Sequence, residues 1–408
     1  MRYNFDEIID RRNTNALNTD GFRGYIFHAG PEMTFPYADD EFVRMWVADM
    51  EFATPPEVCE AIKARVDRRI FGYTCVFGDE YYKAFSAWCE RLYGWTFPKE
   101  ELTFSPGIIP AMYQLTESLL TKNEKMLILT PSYGYFQHTA EYNGIEYVCS
   151  PLMIDSDGYF SIDFEDFERK AADPMMKLVI WCNPHNPSGR VWTEGELRRV
   201  AQIVEKNNLW IISDEIHCDL LRNGKKHIPM GKIMPDYQKL ITCMSASKTF
   251  NMAGLMLSDI IIRDSQLRKI FCGRDKTVGF VNPLSVAAHQ AAYENCGEWL
   301  SQLKDYLDGN FEFVKSFLAE NLPEAVFQIS EATYLAWVNM SGCLPGVKDL
   351  PAFFANNAGV LLEGGNDLFV GNAEGYIRLN LAMPRSIIKT GLERMKDAIM
   401  KYKSGGAK

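Results

Sequence analysis

Between residues 125 and 263 the chain alternates short, almost unbroken apolar runs with stretches of helical spacing. The runs are Lys125-Met-Leu-Ile-Leu129, Glu146-Tyr-Val-Cys149, Lys177-Leu-Val-Ile-Trp181, Trp210-Ile-Ile212, Leu240-Ile-Thr-Cys243 and Ile260-Ile-Ile262. Strands that are apolar on both alternating faces predict a mainly parallel, seven-stranded-type α/β sheet covered by helices on each side. The stretch 194–207 is the clearest covering helix. In such sheets ligands lie outside the carboxyl ends of the strands, so polar groups following the runs are the ones to weigh.

Upstream, residues 55–69 and 79–93 carry helical spacing, the first opened by Pro55 and Pro56, the second stopped by Gly94 and Pro98. A short strand at 102–104 turns through Ser105-Pro-Gly-Ile-Ile-Pro110 into a helix reaching Leu120. Residues 1–50 mix Gly, Pro and aromatics without periodicity, as expected of an irregular arm docked on something larger. Downstream, 284–294 and 299–320 predict long helices, 325–340, 359–362 and 376–381 predict strands, and 386–401 a closing helix. The shift to a strand-rich α+β pattern predicts an arm over 1–54, a large domain over 55–290 and a smaller C-terminal domain over 291–408.

The 408 residues are 47% hydrophobic and 24% charged, enough for a large core. A net charge of −10 and the lack of any long Lys/Arg run argue against nucleic acid or an anionic membrane as partner. Met1-Arg-Tyr-Asn-Phe-Asp-Glu7 lacks the apolar core of a signal peptide and no run is long enough to span a membrane, so the cytoplasm is the expected compartment. Ten cysteines, with no C-x-x-C pair and no His/Cys metal spacing, predict reduced, mostly buried thiols and no metal.

Against this background one lysine stands out. In Met244-Ser-Ala-Ser-Lys-Thr-Phe-Asn251, Lys248 has no charged neighbour from Leu240 to Leu257, which predicts a partly desolvated amine with a lowered pKa. Taken alone, a strand-end lysine that snorkels to water is the commoner case. With Ser245 and Ser247 as phosphate-directed donors, the chemical alternative is a lysine holding pyridoxal phosphate (PLP) by its aldehyde. The turn at Gly107, Ile108 and Ile109 feeds a helix N-terminus and offers backbone N–H groups to an anion. Cys182-Asn-Pro-His-Asn-Pro-Ser-Gly189 fixes a rigid loop on which Asn186 can aim its amide at a ligand oxygen. Asp214, in Ser213-Asp-Glu-Ile-His217, reads either as a helix cap or as partner of the PLP pyridine nitrogen. His217 by itself is more often structural.

In chain order, the glycine turn, Thr130-Pro-Ser-Tyr133, N-P-H-N-P-S-G, D-E-I-H and S-x-S-K together resemble the class I/II aminotransferase family of fold type I PLP enzymes over nearly the whole chain. Trp46-Val-Ala-Asp-Met-Glu-Phe52, Phe71-Gly-Tyr73, Asp214-Glu-Ile-His217 and Ser245-Ala-Ser-Lys-Thr-Phe-Asn251 are similar to the MalY/PatB branch, whose members are carbon–sulfur β-lyases. The resemblance implies Lys248 as the PLP-bearing lysine and proton shuttle, Asp214 on the pyridine nitrogen, Asn186 on the phenolic oxygen and Tyr133 stacked on the ring. It places the phosphate against Gly107, Ile108 and Ile109 with Ser245 and Ser247, reached by Tyr73 from the other subunit of a homodimer. It assigns the substrate α-carboxylate to Arg378, in Tyr376-Ile-Arg-Leu-Asn380, together with Asn186. Two positions depart from typical aminotransferases: His217 stands where they have a tyrosine beside the cofactor, and Met256 where they have an arginine.

The activity so implied is cleavage of L-cystathionine or a related β-thioether amino acid to pyruvate, ammonia and a thiol. An aminotransferase acting on an aromatic or apolar amino acid is the alternative enzyme. A PLP-fold protein serving mainly as a regulatory partner is disfavoured, because Lys248, Asp214, Asn186 and Arg378 are all present.

Overall fold

The computed structural model describes residues 3–274 and 280–405. Seven strands build the central sheet: Leu102–Ser105 (β1), Lys125–Thr130 (β2), Glu146–Pro151 (β3), Met176–Cys182 (β4), Trp210–Asp214 (β5), Leu240–Met244 (β6) and Ser258–Ile262 (β7). Their order is β1-β7-β6-β5-β4-β2-β3, with only β7 running antiparallel to its neighbours. The sheet is therefore mixed. The link from β6 to β7 holds a one-turn helix and a 3-10 turn but no crossover helix, so the chain returns beside β6 in the opposite sense.

Side-chain alternation gives each central strand two apolar sets. Met126, Ile128, Leu178, Ile180 and Ile212 pack with Ala111, Met112 and Leu115 of helix Ile108–Leu119 (α1). Leu127, Leu129, Val179, Trp181 and Ile211 pack with Leu197, Val200 and Val204 of helix Glu194–Lys206 (α2) on the other face. Each buried Leu or Ile stabilises the fold by about 1.5–3 kcal/mol, which sets the register of the sheet. The start of α2 is fixed by a capping box: Glu196 N–H donates to Thr193 Oγ1 at 3.2 Å, and Thr193 N–H donates to the Glu196 carboxylate at 2.7 Å.

A second, antiparallel sheet has the order Leu335–Asn339 (β8), Tyr376–Asn380 (β10), Glu363–Gly364 (β9). Phe311, Val314 and Leu318 of helix Gly297–Asn321 and Ile388, Leu392 and Met395 of helix Arg385–Lys403 cover it. The strand expected over 325–340 begins only at Leu335, because Thr333 adopts a left-handed φ of 70° that interrupts the extended run. Val360–Leu361 does not join this sheet but pairs in parallel with Val43–Arg44. The N-terminal segment thus docks on the C-terminal part of the chain, with Phe22, Phe42 and Trp46 packed on Ala355 and Leu361. From there residues 47–52 run as a strap between the two sheets. Asn380 Nδ2 donates to the carbonyls of Val47 and Asp49, and Asn251 Nδ2 donates to those of Met50 and Phe52. Among the described residues no helix is long and apolar enough to cross a membrane.

Candidate active site

The carboxyl ends of β1, β2, β4, β5 and β6 point to one edge of the sheet, and antiparallel β7 brings its first residue, Ser258, to the same edge. A cavity of about 230 Å³ opens there between the two sheets. Eleven of the residues singled out from sequence line it: Gly107, Ile108, Ile109, Tyr133, Asn186, Asp214, His217, Ser247, Lys248, Met256 and Arg378. Ser245 and Tyr73 do not.

Lys248 is the third residue of the one-turn helix Ala246–Thr249 that follows β6. Ser245 caps that turn: its hydroxyl accepts from Ser247 N–H at 3.1 Å and donates to the Leu257 carbonyl at 2.8 Å, so both roles are used within the loop. Thr249 Oγ1 donates to buried Asp219 at 2.8 Å and pins the other end. Held in this way, Lys248 Nζ donates to the Ala48 carbonyl of the strap at 2.5 Å. Burial lowers its pKa from 10.5 to about 8, with Asp49 and Asp214 opposing and Arg378 adding to the drop. The lowered pKa expected from the uncharged sequence around Lys248 has desolvation as its main cause.

Asp214 ends β5 and accepts from Ile216 N–H at 3.1 Å. Burial raises its pKa from 3.8 to about 7, against the pull of that N–H and of Lys248 and with a push from Glu215. His217 is buried beside it, and among the described residues its Nδ1 has no hydrogen-bond partner. Burial, then Lys248 and Arg378, lower its pKa to about 3, so the ring is neutral.

Arg378, only 2% exposed, donates from Nη1 to Asn186 Oδ1 at 3.2 Å and pairs through Nη2 with Glu363. Its Nε has no partner among the described residues. Tyr133 sits on a two-residue strand paired with Phe369, and its hydroxyl is pushed up to about 12, mainly by burial. Tyr73 is 95% exposed and packs on Phe280 at 5.2 Å between ring centroids.

Three contributors have no counterpart in the sequence reading: the Ala48 carbonyl, Tyr25 on the cavity wall and Glu363 behind Arg378. A backbone carbonyl leaves no residue signal, whereas Glu363 is the cross-strand neighbour of Arg378 and follows from strand register once the pairing is known.

The lining suits PLP. The N-terminus of helix α1, with its unpaired first N–H groups, lines the cavity, as does Ser247 with its hydroxyl, and these groups suit a phosphate. An acid, an amine and two residues whose buried nitrogens, His217 Nδ1 and Arg378 Nε, have no hydrogen-bond partner among the described residues line the same cavity. Among the described residues no His/Cys/Asp/Glu group could hold a metal ion.

Residues 41–395 match the family Aminotransferase class I and II. The chain belongs to that family. It is 35% identical over 400 residues to cystathionine beta-lyase PatB of Bacillus subtilis, covering 97% of this chain and 100% of that one. Protein MalY of Escherichia coli is 28% identical over 403 residues, covering 97% and 99%. The crystal structure of the PLP-bound C-S lyase from Staphylococcus hominis superposes with a TM-score of 0.92 at 48% identity, covering 98% of each chain. The architecture is that of the fold type I members of the family, as expected from the strand pattern and motifs.

Proposed function

We propose that the protein is a PLP-dependent carbon–sulfur β-lyase cleaving L-cystathionine or related β-thioether amino acids to pyruvate, ammonia and a thiol. The observation that carries this reading is a desolvated Lys248 amine sharing one cavity with Asp214, Asn186 and Arg378, in a family member whose relatives include C–S lyases.

Bound in the cavity, PLP supplies an electron sink for negative charge at the substrate α-carbon. Lys248 would hold its aldehyde carbon, α1 and Ser247 its phosphate, and Asn186 its phenolic oxygen. Asp214 would pair with the pyridine nitrogen and keep a proton there. Arg378 takes the substrate α-carboxylate with its unused N–H donors. Once the substrate amine has displaced it from the aldehyde carbon, the Lys248 amine beside the Ala48 carbonyl would remove the α-proton. The Cβ–S bond then breaks with its electron pair on sulfur, which leaves as thiol after taking a proton, and water releases pyruvate and ammonia from the three-carbon remainder.

The test is holoprotein given L-cystathionine with no keto acid. Multiple turnovers yielding pyruvate, ammonia and thiol in equal amounts are expected. No pyruvate from any β-thioether, combined with turnover of an ordinary amino acid once a keto acid is added, would replace this reading with transamination.

The working unit proposed is a homodimer. Ile70, Phe71, Tyr73 and Phe77 are all exposed in one short stretch, with Phe280 against Tyr73, an apolar surface that suits a second copy. Tyr73 would there reach the phosphate bound in the neighbouring subunit. Sedimentation should return twice the 46.6 kDa chain mass, and a fully active monomer would contradict it. Ten free cysteines support placement in the reducing cytoplasm.

A further inference from the structure

One buried ion pair beside the cavity has no part in the reaction as described. Glu363 in β9 faces Arg378 in β10 across the antiparallel register, and the carboxylate meets Nη2 with both side chains 2% exposed. Arg378 lines the cavity, whereas Glu363 lines a neighbouring one beyond Tyr25 and Tyr133. The guanidinium is therefore held from behind by Glu363 and from the side by Asn186 Oδ1, and Nε is left without a partner among the described residues. We propose that Glu363 is a positioning residue: a fixed counter-ion that aims the free donors of Arg378 at the substrate α-carboxylate and moderates how tightly that carboxylate is held. A substrate carboxylate meets an arginine whose charge is already balanced, so it gains directional hydrogen bonds without the full attraction of a bare buried cation. Such tempering favours release after turnover.

The inference rests on Arg378 being the carboxylate site, and its test separates the two. Holoprotein is titrated with L-alanine and with ethylamine, which carries the amine but no carboxylate, and binding is read from the change in cofactor absorbance. The ratio of the two affinities isolates the carboxylate contribution. Glu363→Gln keeps an acceptor for Nη2 and removes the charge, and it should raise the ratio about tenfold through loss of a like charge next to the ligand. Glu363→Asp keeps the charge but draws the guanidinium back, and should lower the ratio while leaving ethylamine binding unchanged. Arg378→Ala should abolish the discrimination, a loss of about 30- to 1000-fold for a charge-assisted bidentate contact. A purely structural Glu363 would leave the ratio unchanged in both Glu363 variants, and that result overturns the inference. If Glu363→Gln fails to fold, an unchanged ratio in Glu363→Asp overturns it alone. Failure of wild type to prefer L-alanine would instead sink the assignment of Arg378.

Discussion

Lys248→Ala should lower pyruvate release by about 10⁴-fold, the upper span of a positioned general base, while leaving the fold intact. The turn that carries the residue is held by Ser245 at one end and by the Thr249 to Asp219 hydrogen bond at the other, and alanine disturbs neither. What is lost is an amine whose pKa of about 8 leaves about half of it uncharged at a pH near 8, against less than about 1% for an ordinary lysine. Among the described residues no other lysine lines the cavity, so none of them replaces it. Borohydride treatment of wild-type holoprotein followed by peptide mapping should find the cofactor on Lys248. Finding it on a different lysine, or a variant that keeps its turnover, would remove the foundation of the mechanism.

The legible part of this site is the part that hangs on strands. Runs such as Lys177-Leu-Val-Ile-Trp181 are apolar on both faces because helices cover both, and Asn186, Asp214 and Lys248 each follow such a run, which is where a sheet of this kind offers its ligand edge. The reversed direction of β7 is invisible in its composition, since Ser258–Ile262 is as buried as the strand Leu240–Met244 beside it. Two-residue pairings such as Val43–Arg44 with Val360–Leu361 are too short for any periodicity, so where the arm docks on the C-terminal part of the chain could not be read. Ser245 looked like a phosphate donor because hydroxyls next to the lysine suit that role, yet a serine before a helical turn is also a cap, and its hydrogen bonds to Ser247 and Leu257 show the capping use. The Ala48 carbonyl depends on the strap being tied down by Asn251 and Asn380, which are 129 positions apart in sequence and meet only through the fold.

Asp214→Asn should change stability and turnover in opposite directions. The carboxyl pKa is raised from 3.8 to about 7, so the protonated form favours the folded chain; that contribution is full below 3.8 and is lost as pH rises through 7. Near pH 8 the cofactor-free wild type therefore carries a buried carboxylate costing roughly 4 kcal/mol relative to a neutral group, at about 1.4 kcal/mol per pKa unit. Asparagine cannot ionise, so the variant apoprotein should resist guanidinium better than wild type near pH 8, with the advantage fading toward about pH 4. Asp259, raised to about 7 by burial despite hydrogen bonds from Tyr81 and Tyr293, titrates in the same window in both proteins and cancels from the comparison. His185, His217 and His289, held neutral by burial, cancel likewise. Turnover of the loaded variant should fall by about 10²- to 10⁴-fold, because asparagine cannot hold a proton on the pyridine nitrogen. A variant apoprotein with no growing advantage between about pH 4 and pH 8 would refute the desolvation argument for Asp214. A variant that is stabilised yet fully active would instead place the proton-holding role on another residue, since the same buried charge that weakens the empty protein is what the cofactor nitrogen is expected to neutralise.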